Sequence, residues 1–337
     1  MKNILITGGA GYIGSHTAIE MIKGGLSPVI IDDLSNSDVK VLERLKEITG
    51  KDIPFYQGDC GDRKLLDLII KEHDISGVIH FAAFKAVGES TNDPLKYYQN
   101  NVCSLITLLS FMKDHKIKDL VFSSSCTVYG QPDVLPVTEE TPRKDAESPY
   151  GNTKKICEDI LIDCVKSKAG IRVVSLRYFN PVGAHASAKI GELPLGKPNN
   201  LVPFVTQTAA GIREKLTIFG NDYDSVDGTC IRDYIHVVDL ADAHLKAIQY
   251  LEDKEDDFYD VFNVGTGQGN TVLEVIQTFE KINGIKLNYE IGPRRSGDVE
   301  KVWADTSKIN KLLGWKAKLT LEDSMRDSWN WQKSLGK

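Results

Sequence analysis

The chain begins with Asn3-Ile-Leu-Ile-Thr-Gly-Gly-Ala-Gly-Tyr-Ile-Gly14, an apolar run that leads directly into closely spaced glycines. The apolar part is typical of a strand buried on both faces, and the residues after Gly14 are typical of a helix that ends at Gly24-Gly25. Glycines spaced as Gly9-x-Gly11-x-x-Gly14 permit a tight turn, close approach of a pyrophosphate to the backbone, and close packing of the helix on the strand. The stretch therefore predicts a dinucleotide-binding unit.

An acidic pair follows the second predicted strand. The apolar run Pro28-Val-Ile-Ile31 ends at Asp32, about 20 residues past the glycine-rich turn, where a ribose-binding carboxylate is expected. Asp32 and Asp33 would repel a 2′-phosphate, and no arginine is adjacent to them in the sequence. The predicted cofactor is therefore NAD rather than NADP.

Apolar strands and helical stretches alternate as far as Arg177, which predicts an α/β fold with a Rossmann-type doubly wound parallel sheet. The pattern changes after Asn180-Pro181, where a long glycine- and proline-rich stretch has no periodicity. We therefore predict an NAD-binding domain over residues 1–180, with residues 235–251 packing back on it. A smaller mixed α/β lobe that binds the substrate is predicted over residues 181–337.

The composition excludes several classes of function. The 337 residues carry a formal net charge of −6, which argues against a partner that is a nucleic acid or a membrane surface. No apolar run approaches the roughly 18 residues that cross a bilayer, and no signal peptide is visible, so a cytoplasmic location is expected. The six cysteines form no CxxC pair and the seven histidines no HxxxH pair. Free thiols and no metal site are therefore expected.

Tyr150-Gly-Asn-Thr-Lys154 places a phenol and an ammonium on one face of a predicted helix. An ordinary tyrosine has a pKa of about 10, and a nearby lysine together with the positive nicotinamide ring of NAD⁺ would lower it. The spacing alone fits a helix-surface pair equally well. Ser125, at the end of the preceding strand, favours function because its hydroxyl could bond a substrate alcohol. The three residues predict proton transfer in alcohol–ketone chemistry beside a hydride acceptor.

These motifs together resemble a known family. Thr7-Gly-Gly-Ala-Gly-Tyr-Ile-Gly14, Ser125 and the Tyr150/Lys154 pair resemble the extended short-chain dehydrogenase/reductases. More narrowly, further stretches spread over essentially the whole chain are similar to the UDP-glucose/UDP-galactose 4-epimerases. These stretches are Lys85-Ala-Val-Gly-Glu-Ser90, Ser123-Ser-Ser-Cys-Thr-Val-Tyr-Gly130, Leu176-Arg-Tyr-Phe-Asn-Pro-Val-Gly-Ala-His185, Pro198-Asn-Asn-Leu201 and Arg232-Asp-Tyr-Ile-His236.

The resemblance implies an isomerase of galactose metabolism that inverts C4 of UDP-galactose and UDP-glucose by transient oxidation to a 4-keto sugar with bound NAD. The catalytic residues it implies are Ser125, Tyr150 and Lys154. The cofactor-binding residues it implies are Gly8, Gly11, Tyr12, Ile13, Gly14, Asp32, Asn36, Ser37, Asp59, Cys60, Phe81, Ala82, Lys85, Asn100 and Phe179. The residues it implies for the UDP-sugar are Asn180, Asn200, Leu201, Thr217, Phe219, Arg232, Arg295, Asp298 and Val302, of which the two arginines suit the sides of a diphosphate.

The resemblance also implies a substrate range and an assembly. Val302 occupies the position at which a bulky tyrosine restricts related enzymes to plain hexoses, so UDP-N-acetylglucosamine or UDP-N-acetylgalactosamine is expected as an additional substrate. Related enzymes pair two helices from each subunit, which here would be Pro94 to Lys113 and Tyr150 to Lys168, into a homodimer. The alternative is that the apolar residues of these helices face only their own sheet.

Two other functions are alternatives to the epimerase interpretation. Nucleotide-sugar dehydratases and decarboxylases of the same superfamily carry acidic residues just after the serine strand, whereas this chain has Cys126-Thr127 there. The cysteine itself departs from the epimerases, which often have alanine, as does Ala83, where they often have glycine. An NAD-sensing protein without activity is the second alternative, since a fold alone does not prove function. The intact set of Ser125, Tyr150 and Lys154 argues against it.

Overall fold

The computed structural model describes residues 1–294 and 299–336. Its strands are β1 (Asn3–Thr7), β2 (Ser27–Asp32), β3 (Phe55–Gln57), β4 (Ile75–His80), β5 (Asp119–Ser125), β6 (Arg172–Tyr178), β7 (Asn180–Val182), β8 (Leu216–Phe219), β9 (Ile231–Arg232), β10 (Tyr234–His236), β11 (Phe258–Val264), β12 (Asn270–Thr271), β13 (Tyr289–Gly292) and β14 (Lys301–Val302). Its α-helices are α1 (Tyr12–Lys23), α2 (Lys40–Thr49), α3 (Arg63–Glu72), α4 (Val87–Asn92), α5 (Pro94–Tyr98), α6 (Ser104–Asp114), α7 (Pro149–Lys166), α8 (Leu201–Ala209), α9 (Val237–Glu252), α10 (Val272–Asn283), α11 (Ser307–Leu313) and α12 (Leu321–Ser334).

A seven-stranded parallel sheet forms the centre of the molecule, in the order β11-β6-β5-β4-β1-β2-β3. The predicted α/β fold with a doubly wound parallel sheet is confirmed. Successive residues of a strand point to opposite faces of a sheet, and both faces of this one are covered. Ile4 and Ile6 of β1 pack in one apolar cluster with residues of α1 and α9, whereas Leu5 packs in a second cluster with residues of α3, α6 and α7. This burial explains the continuous apolar run at the start of the chain.

The remaining small sheets and helices build a lobe beside the central sheet. Strand β7 pairs with β10, β8 pairs with β13, and β9 lies between β12 and β14. Residues of α8, α10 and α12 share a third apolar cluster with residues of β8 and β10. Two elements that follow residue 180 nevertheless belong to the central part of the molecule. Helix α9 lies against α1, and β11 pairs with β6 along its full length. The division into residues 1–180 and 181–337 stays a prediction.

The stretch expected to form one long helix, Pro94 to Lys113, contains an irregularity. Helix α5 continues into a π-helical turn over Gln99–Cys103 and then into α6. Such turns often occur at functional sites, because they change the direction in which side chains point. Here the π-helical turn carries Asn100 and Asn101, and asparagine is a poor helix former. Within residues 1–294 and 299–336, none of the helices combines the length and apolar character needed to cross a membrane.

A buried charge network joins the central strands to α7. Glu158 of α7 is fully buried and accepts hydrogen bonds from Arg177 of β6, at 2.9 and 2.7 Å, and from the Ser124 hydroxyl of β5, at 2.6 Å. Arg177 also donates to the Tyr129 hydroxyl, which in turn donates to Asn263 of β11. The network therefore holds three strands and one helix in a fixed relation.

This network generates a prediction about stability. Glu158→Ala should lower the free energy of unfolding by about 3–5 kcal/mol, because the buried Arg177 guanidinium loses its carboxylate partner. Urea denaturation measures the change. The matched control is Asp52→Ala, which removes an ion pair with Lys46 in which both side chains are largely exposed, and which should cost only about 0–1 kcal/mol. Equal losses in the two variants would contradict the prediction.

Candidate active site

The glycine-rich turn connects β1 to α1, and its geometry depends on missing side chains. Gly8 has a φ of 69°, in the left-handed region that favours glycine. A Cβ on Gly14 would lie 2.4 Å from the carbonyl oxygen of Gly8, so α1 can lie this close to the turn only with glycine there. Gly11 caps the helix without a side chain, and the first helical turn, which begins with Tyr12 and the half-buried Ile13, has no acidic residue. The first N–H groups of α1 are thus suited to bind a phosphate.

Asp32 ends β2 and connects the glycine-rich turn to the next loop. Its buried carboxylate accepts hydrogen bonds from the N–H of Ala10 at 3.0 Å, the N–H of Leu34 at 2.9 Å and the hydroxyl of Ser37 at 2.7 Å. Asn36 is exposed beside Ser37. An acceptor fixed at this place suits the hydroxyl groups of a ribose.

The other predicted cofactor residues of this region follow β3 and β4. Asp59 is exposed, and the adjacent Cys60 is buried, which raises the pKa of its thiol to about 12. Phe81 and Ala82 follow β4, and their N–H groups donate to the backbone oxygen and the hydroxyl of Thr7, at 3.1 and 3.3 Å. These bonds hold the loop after β4 against the end of β1. All of these residues lie at the carboxyl ends of parallel strands, where doubly wound sheets bind ligands.

Two further predicted residues, Lys85 and Asn100, form side-chain contacts of their own. The Lys85 ammonium lies 3.1 Å from a carboxylate oxygen of Glu192, and the same oxygen accepts a hydrogen bond from the Asn200 amide at 2.6 Å. Asn100 donates from its side chain to the side-chain oxygen of Asn101 at 3.0 Å. The structure therefore links a residue predicted for the cofactor, Lys85, to one predicted for the substrate, Asn200.

Ser125, Tyr150 and Lys154 are brought together at the carboxyl edge of the sheet. Ser125 is the last residue of β5 and is buried, and its side chain lies near enough to the Tyr150 hydroxyl to lower the pKa of that phenol. The Ser148 hydroxyl caps α7 by accepting a hydrogen bond from Gly151 N–H at 3.2 Å. This cap places Tyr150 in the first turn of α7 and Lys154 one turn later, on the same face.

Burial shifts the protonation of both groups on α7. It raises the pKa of the Tyr150 phenol to about 12, against the influence of the nearby Ser125 side chain, which lowers it. Burial also lowers the pKa of Lys154 to about 8, against the nearby charge of Glu158, which raises it. The Lys154 ammonium donates to the backbone oxygen of Ser123 at 2.5 Å. In the protein without NAD, burial is thus the main influence on the pKa of Tyr150. That Lys154 and NAD⁺ lower this pKa once the cofactor is bound stays a prediction.

Several residues predicted for the nucleotide sugar lie next to this edge. Val302 is buried in an apolar cluster with Phe179, and Cys126 packs against the same cluster. Arg232 pairs with Val302 between β9 and β14, and its guanidinium donates to the backbone oxygen of Ile231, while its charge acts on the Cys126 thiol. Asn180 begins β7, directly after Phe179. These residues form a wall that continues from Ser125 into the lobe.

Other predicted substrate residues lie deeper in the lobe. Thr217 and Phe219 belong to β8, which pairs with β13 and not with the central sheet, and the Phe219 side chain is 43 % exposed. Leu201 is the half-buried first residue of α8. Arg295 and Asp298 lie outside the described residues. The positions of Thr217 and Phe219 are compatible with a ligand that extends away from Ser125 along the lobe.

The structure also identifies polar residues that sequence reasoning did not assign to the site. Asn101 bonds the backbone of Phe84 through both side-chain atoms and donates to the Thr153 hydroxyl of α7, which fixes the loop after β4 beside Lys154. Its occurrence within a helical pattern was the only available signal. Tyr178 is buried and forms a hydrogen bond with His244 at 2.5 Å. Glu192 lies in an irregular stretch, where no local pattern distinguishes it.

These features fit a bound dinucleotide, because the start of α1 presents free N–H groups and Asp32 presents a fixed carboxylate at one edge of the sheet. The buried Ser125 and Lys154 and the half-buried Tyr150 lie at the same edge. A doubly wound sheet with this combination defines an extended short-chain dehydrogenase/reductase.

Comparison with known proteins narrows this class. The family described as GDP-mannose 4,6 dehydratase matches residues 5–328. The chain is 50% identical to the UDP-glucose 4-epimerase of Haemophilus influenzae, over 98% of this chain and 97% of that protein. It is 47% identical, with a TM-score of 0.97, to a UDP-glucose 4-epimerase structure from Stenotrophomonas maltophila with bound NAD and formylated UDP-arabinopyranose, covering 100% of this chain and 99% of the other. A structure of the Bifidobacterium longum enzyme with NAD⁺ and UDP has 47% identity and a TM-score of 0.95, covering 99% and 98%.

The chain belongs to the family of UDP-glucose 4-epimerases. The resemblance predicted from the sequence is therefore confirmed over nearly the whole chain. The roles predicted for individual site residues stay predictions.

The raised pKa of Tyr150 generates a prediction about ionisation. In protein freed of nucleotide, ultraviolet difference titration of wild type against Tyr150→Phe should show no additional phenolate up to pH of about 10, because burial raises the pKa of Tyr150 to about 12. The sign follows from desolvation, which disfavours the charged phenolate. An extra phenolate in the wild-type protein near neutral pH would contradict the prediction.

Proposed function

We propose that this protein catalyses the reversible epimerisation at C4 of UDP-galactose and UDP-glucose, with NAD as its bound cofactor, in galactose metabolism. The observation that carries the proposal is the placement of Tyr150 on α7 beside Ser125 and Lys154, both buried, at the carboxyl edge of the sheet that also carries the glycine-rich turn. The family to which the chain belongs supports the same reaction. The absence of any basic surplus in the composition supports a small-molecule substrate rather than a nucleic acid.

The assignment of NAD follows from the residues around the glycine-rich turn and from two lysines. The N–H groups at the start of α1 bind the pyrophosphate, and Asp32 accepts hydrogen bonds from a ribose. Lys154 holds the ribose of the nicotinamide, and Lys85 is also assigned to the cofactor. When bound, NAD would supply the hydride acceptor for oxidation at C4 of the sugar and the hydride donor for the reverse step.

The proton is handled by the residues of α7 and β5. Tyr150, as phenolate, takes the proton of the C4 hydroxyl, and Ser125 orients that hydroxyl or relays its proton. The phenolate form requires positive charge, because burial raises the pKa of Tyr150. Lys154 contributes such a charge at neutral pH, since its pKa of about 8 leaves it mostly protonated. The reaction has no net oxidation, so the cofactor does not have to leave between turnovers.

The nucleotide sugar is assigned to the wall between the sheet and the lobe. Arg232 and Arg295 are assigned to the diphosphate, because planar guanidinium groups suit its oxygens. Asn180 and Asn200 bond the sugar diphosphate, and Phe219 lies near the uracil. Leu201, Thr217 and Asp298 complete the predicted set.

A direct assay tests the proposed function. Purified protein without added NAD should convert UDP-galactose to UDP-glucose, and protein denatured after purification should release NAD. Adding substrate before denaturation should convert part of that NAD to NADH. No conversion of UDP-galactose, even with NAD added, would refute the proposal and leave the NAD-sensing alternative.

The assignment of Tyr150 generates a prediction about turnover. Tyr150→Phe should reduce kcat by roughly 10²–10⁴-fold, which is the usual contribution of a general base. UDP affinity, measured by calorimetry, should change little, because the phenylalanine keeps the ring and loses only the hydroxyl. A variant with nearly native turnover would remove Tyr150 from the mechanism.

Val302 generates a prediction about substrate range. Its small side chain packs in one apolar cluster with Phe179, and Cys126 lies against the same cluster. Cys126 directly follows Ser125, the last residue of β5. We expect wild type to act on UDP-N-acetylglucosamine as well as UDP-glucose, and Val302→Tyr to lose the N-acetylated substrate selectively, because the ring takes the space of the acetamido group. Steady-state kinetics with both substrates measure the ratio. Wild type inactive on the N-acetylated sugar would show that Val302 does not control the pocket.

We also propose that the protein is a cytoplasmic homodimer. Apolar and polar side chains of α5, the π-helical turn and α7 line a surface cavity of about 400 Å³, formed by Leu95, Tyr98, Gln99, Val102, Cys103 and Ile156. Leu95 is 76 % exposed, and Ile106 of α6 is also exposed. A second copy that places its own α5–α6 and α7 against this face would form a four-helix bundle with twofold symmetry.

The proposed dimer generates a prediction about mass. Light scattering at micromolar concentration should give twice the mass of one chain. Leu95→Glu should shift the protein toward monomer, because it places a charge in the apolar contact. The matched control is Leu68→Glu, which places the same charge at an exposed leucine of α3, on a different helix. A wild-type mass of one chain would refute the dimer.

A further inference from the structure

Glu192 lies in the irregular loop between β7 and α8, yet its position is closely defined. Its backbone oxygen accepts a hydrogen bond from the indole N–H of Trp331 in α12 at 3.0 Å. Its side chain is only 13% exposed. A single carboxylate oxygen, Oε1, accepts from the Lys85 ammonium at 3.1 Å and from the Asn200 amide at 2.6 Å. Glu192 thus connects the loop after β4 with the residue that precedes α8.

The loop that carries Glu192 also lies against the start of α1. The Tyr12 hydroxyl donates to the backbone oxygen of Gly183 at 2.7 Å. The charge of Glu192 acts on the Tyr12 hydroxyl, which places the carboxylate near the glycine-rich turn. A second ion pair, Lys189 with Glu47 of α2, attaches the same loop to the central sheet's helical layer. The loop therefore runs across the side of the molecule on which the cofactor is proposed to bind.

An isolated ion pair with an exposed lysine contributes little, and Lys85 is 46% exposed. Glu192 differs from such a pair in two respects. It is mostly buried, and its one oxygen also accepts the shorter bond from Asn200. Hydrogen bonds to a charged acceptor are stronger than neutral ones. Removal of this oxygen would therefore release Lys85 and Asn200 together.

We propose that Glu192 is a positioning residue that couples the two halves of the active site, holding Lys85 for the cofactor and Asn200 for the nucleotide sugar through one oxygen atom. The proposal rests on the proposed function, which assigns Lys85 and Asn200 to these ligands. Glu192 itself is assigned to no contact with NAD or with the sugar. Its role is to make retention of NAD and affinity for the UDP group depend on the same contact.

Three variants test this role. Glu192→Ala removes the acceptor, Glu192→Gln keeps an amide oxygen that can accept both bonds, and Glu47→Ala removes the other ion pair of the same loop without touching an assigned residue. The measurements are the NAD content after gel filtration, the affinity for UDP by calorimetry, and kcat and KM with UDP-galactose at saturating NAD. These readouts separate ligand retention from the chemical step.

We expect Glu192→Ala to lose bound NAD on the column and to bind UDP about tenfold more weakly, the change typical of a lost hydrogen bond to a charged group. Its KM should rise while kcat at saturating NAD changes little. Glu47→Ala should behave like wild type in NAD content and UDP affinity, and Glu192→Gln should lose clearly less of both than Glu192→Ala, because its neutral oxygen still accepts both bonds. Recovery by glutamine would show that the shared acceptor, and not the loop as a whole, carries the effect.

Three results would overturn the role of Glu192. These are wild-type behaviour of Glu192→Ala, an equal loss in Glu192→Gln, and an equal loss in Glu47→Ala. Failure of the proposed function gives a different result, since wild type itself would then show no epimerisation with added NAD. If wild type is active and the Glu192→Ala variant keeps its NAD and its UDP affinity, the role of Glu192 is refuted while the proposed function stands.

Discussion

Helix α1 approaches the end of β1 only because residue 14 has no side chain. A Cβ there would overlap the carbonyl oxygen of Gly8 at 2.4 Å, and a Cβ on Gly8 would lie 2.9 Å from the backbone nitrogen of Ala82. Contacts this short are with backbone atoms, which cannot rotate away. The close approach brings the N–H groups of α1 to the same edge at which β1 and β4 end. The rest of the site is arranged around that edge.

The parallel sheet turns this local contact into a complete site. Thr7 of β1 lies opposite His80 of β4, and Ser125 of β5 lies opposite Tyr178 of β6. Strands that run in one direction with matched ends place their following loops together. Asp32, Phe81 and Ser125 are distant in the chain but lie along the same edge for that reason. Glu158 then fixes α7 against β5 and β6, so the helix that carries Tyr150 and Lys154 cannot shift relative to Ser125.

The parts of the site that sequence alone predicted are those with local signals. The glycine-rich turn, Asp32 at the end of an apolar run, and the i, i+4 pair of Tyr150 and Lys154 each depend on residues close in the chain. Glu192 and Asn101 could not be assigned in this way, because their partners are distant: Lys85 for Glu192 and Thr153 for Asn101. Strand β11 was not expected in the central sheet for a similar reason. It pairs with β6 about a quarter of the chain away, across an intervening lobe.

One physical cause, burial, shifts the pKa values of Tyr150 and Lys154 in opposite directions. Burial disfavours the charged form of each, and therefore raises the pKa of Tyr150 to about 12 and lowers that of Lys154 to about 8. At neutral pH the lysine is still cationic while the phenol is protonated. Glu158, one turn beyond Lys154, raises the pKa of that lysine and so helps to keep it charged. The carboxylate that fixes α7 against the strands thus also preserves the positive charge on which a phenolate at Tyr150 depends.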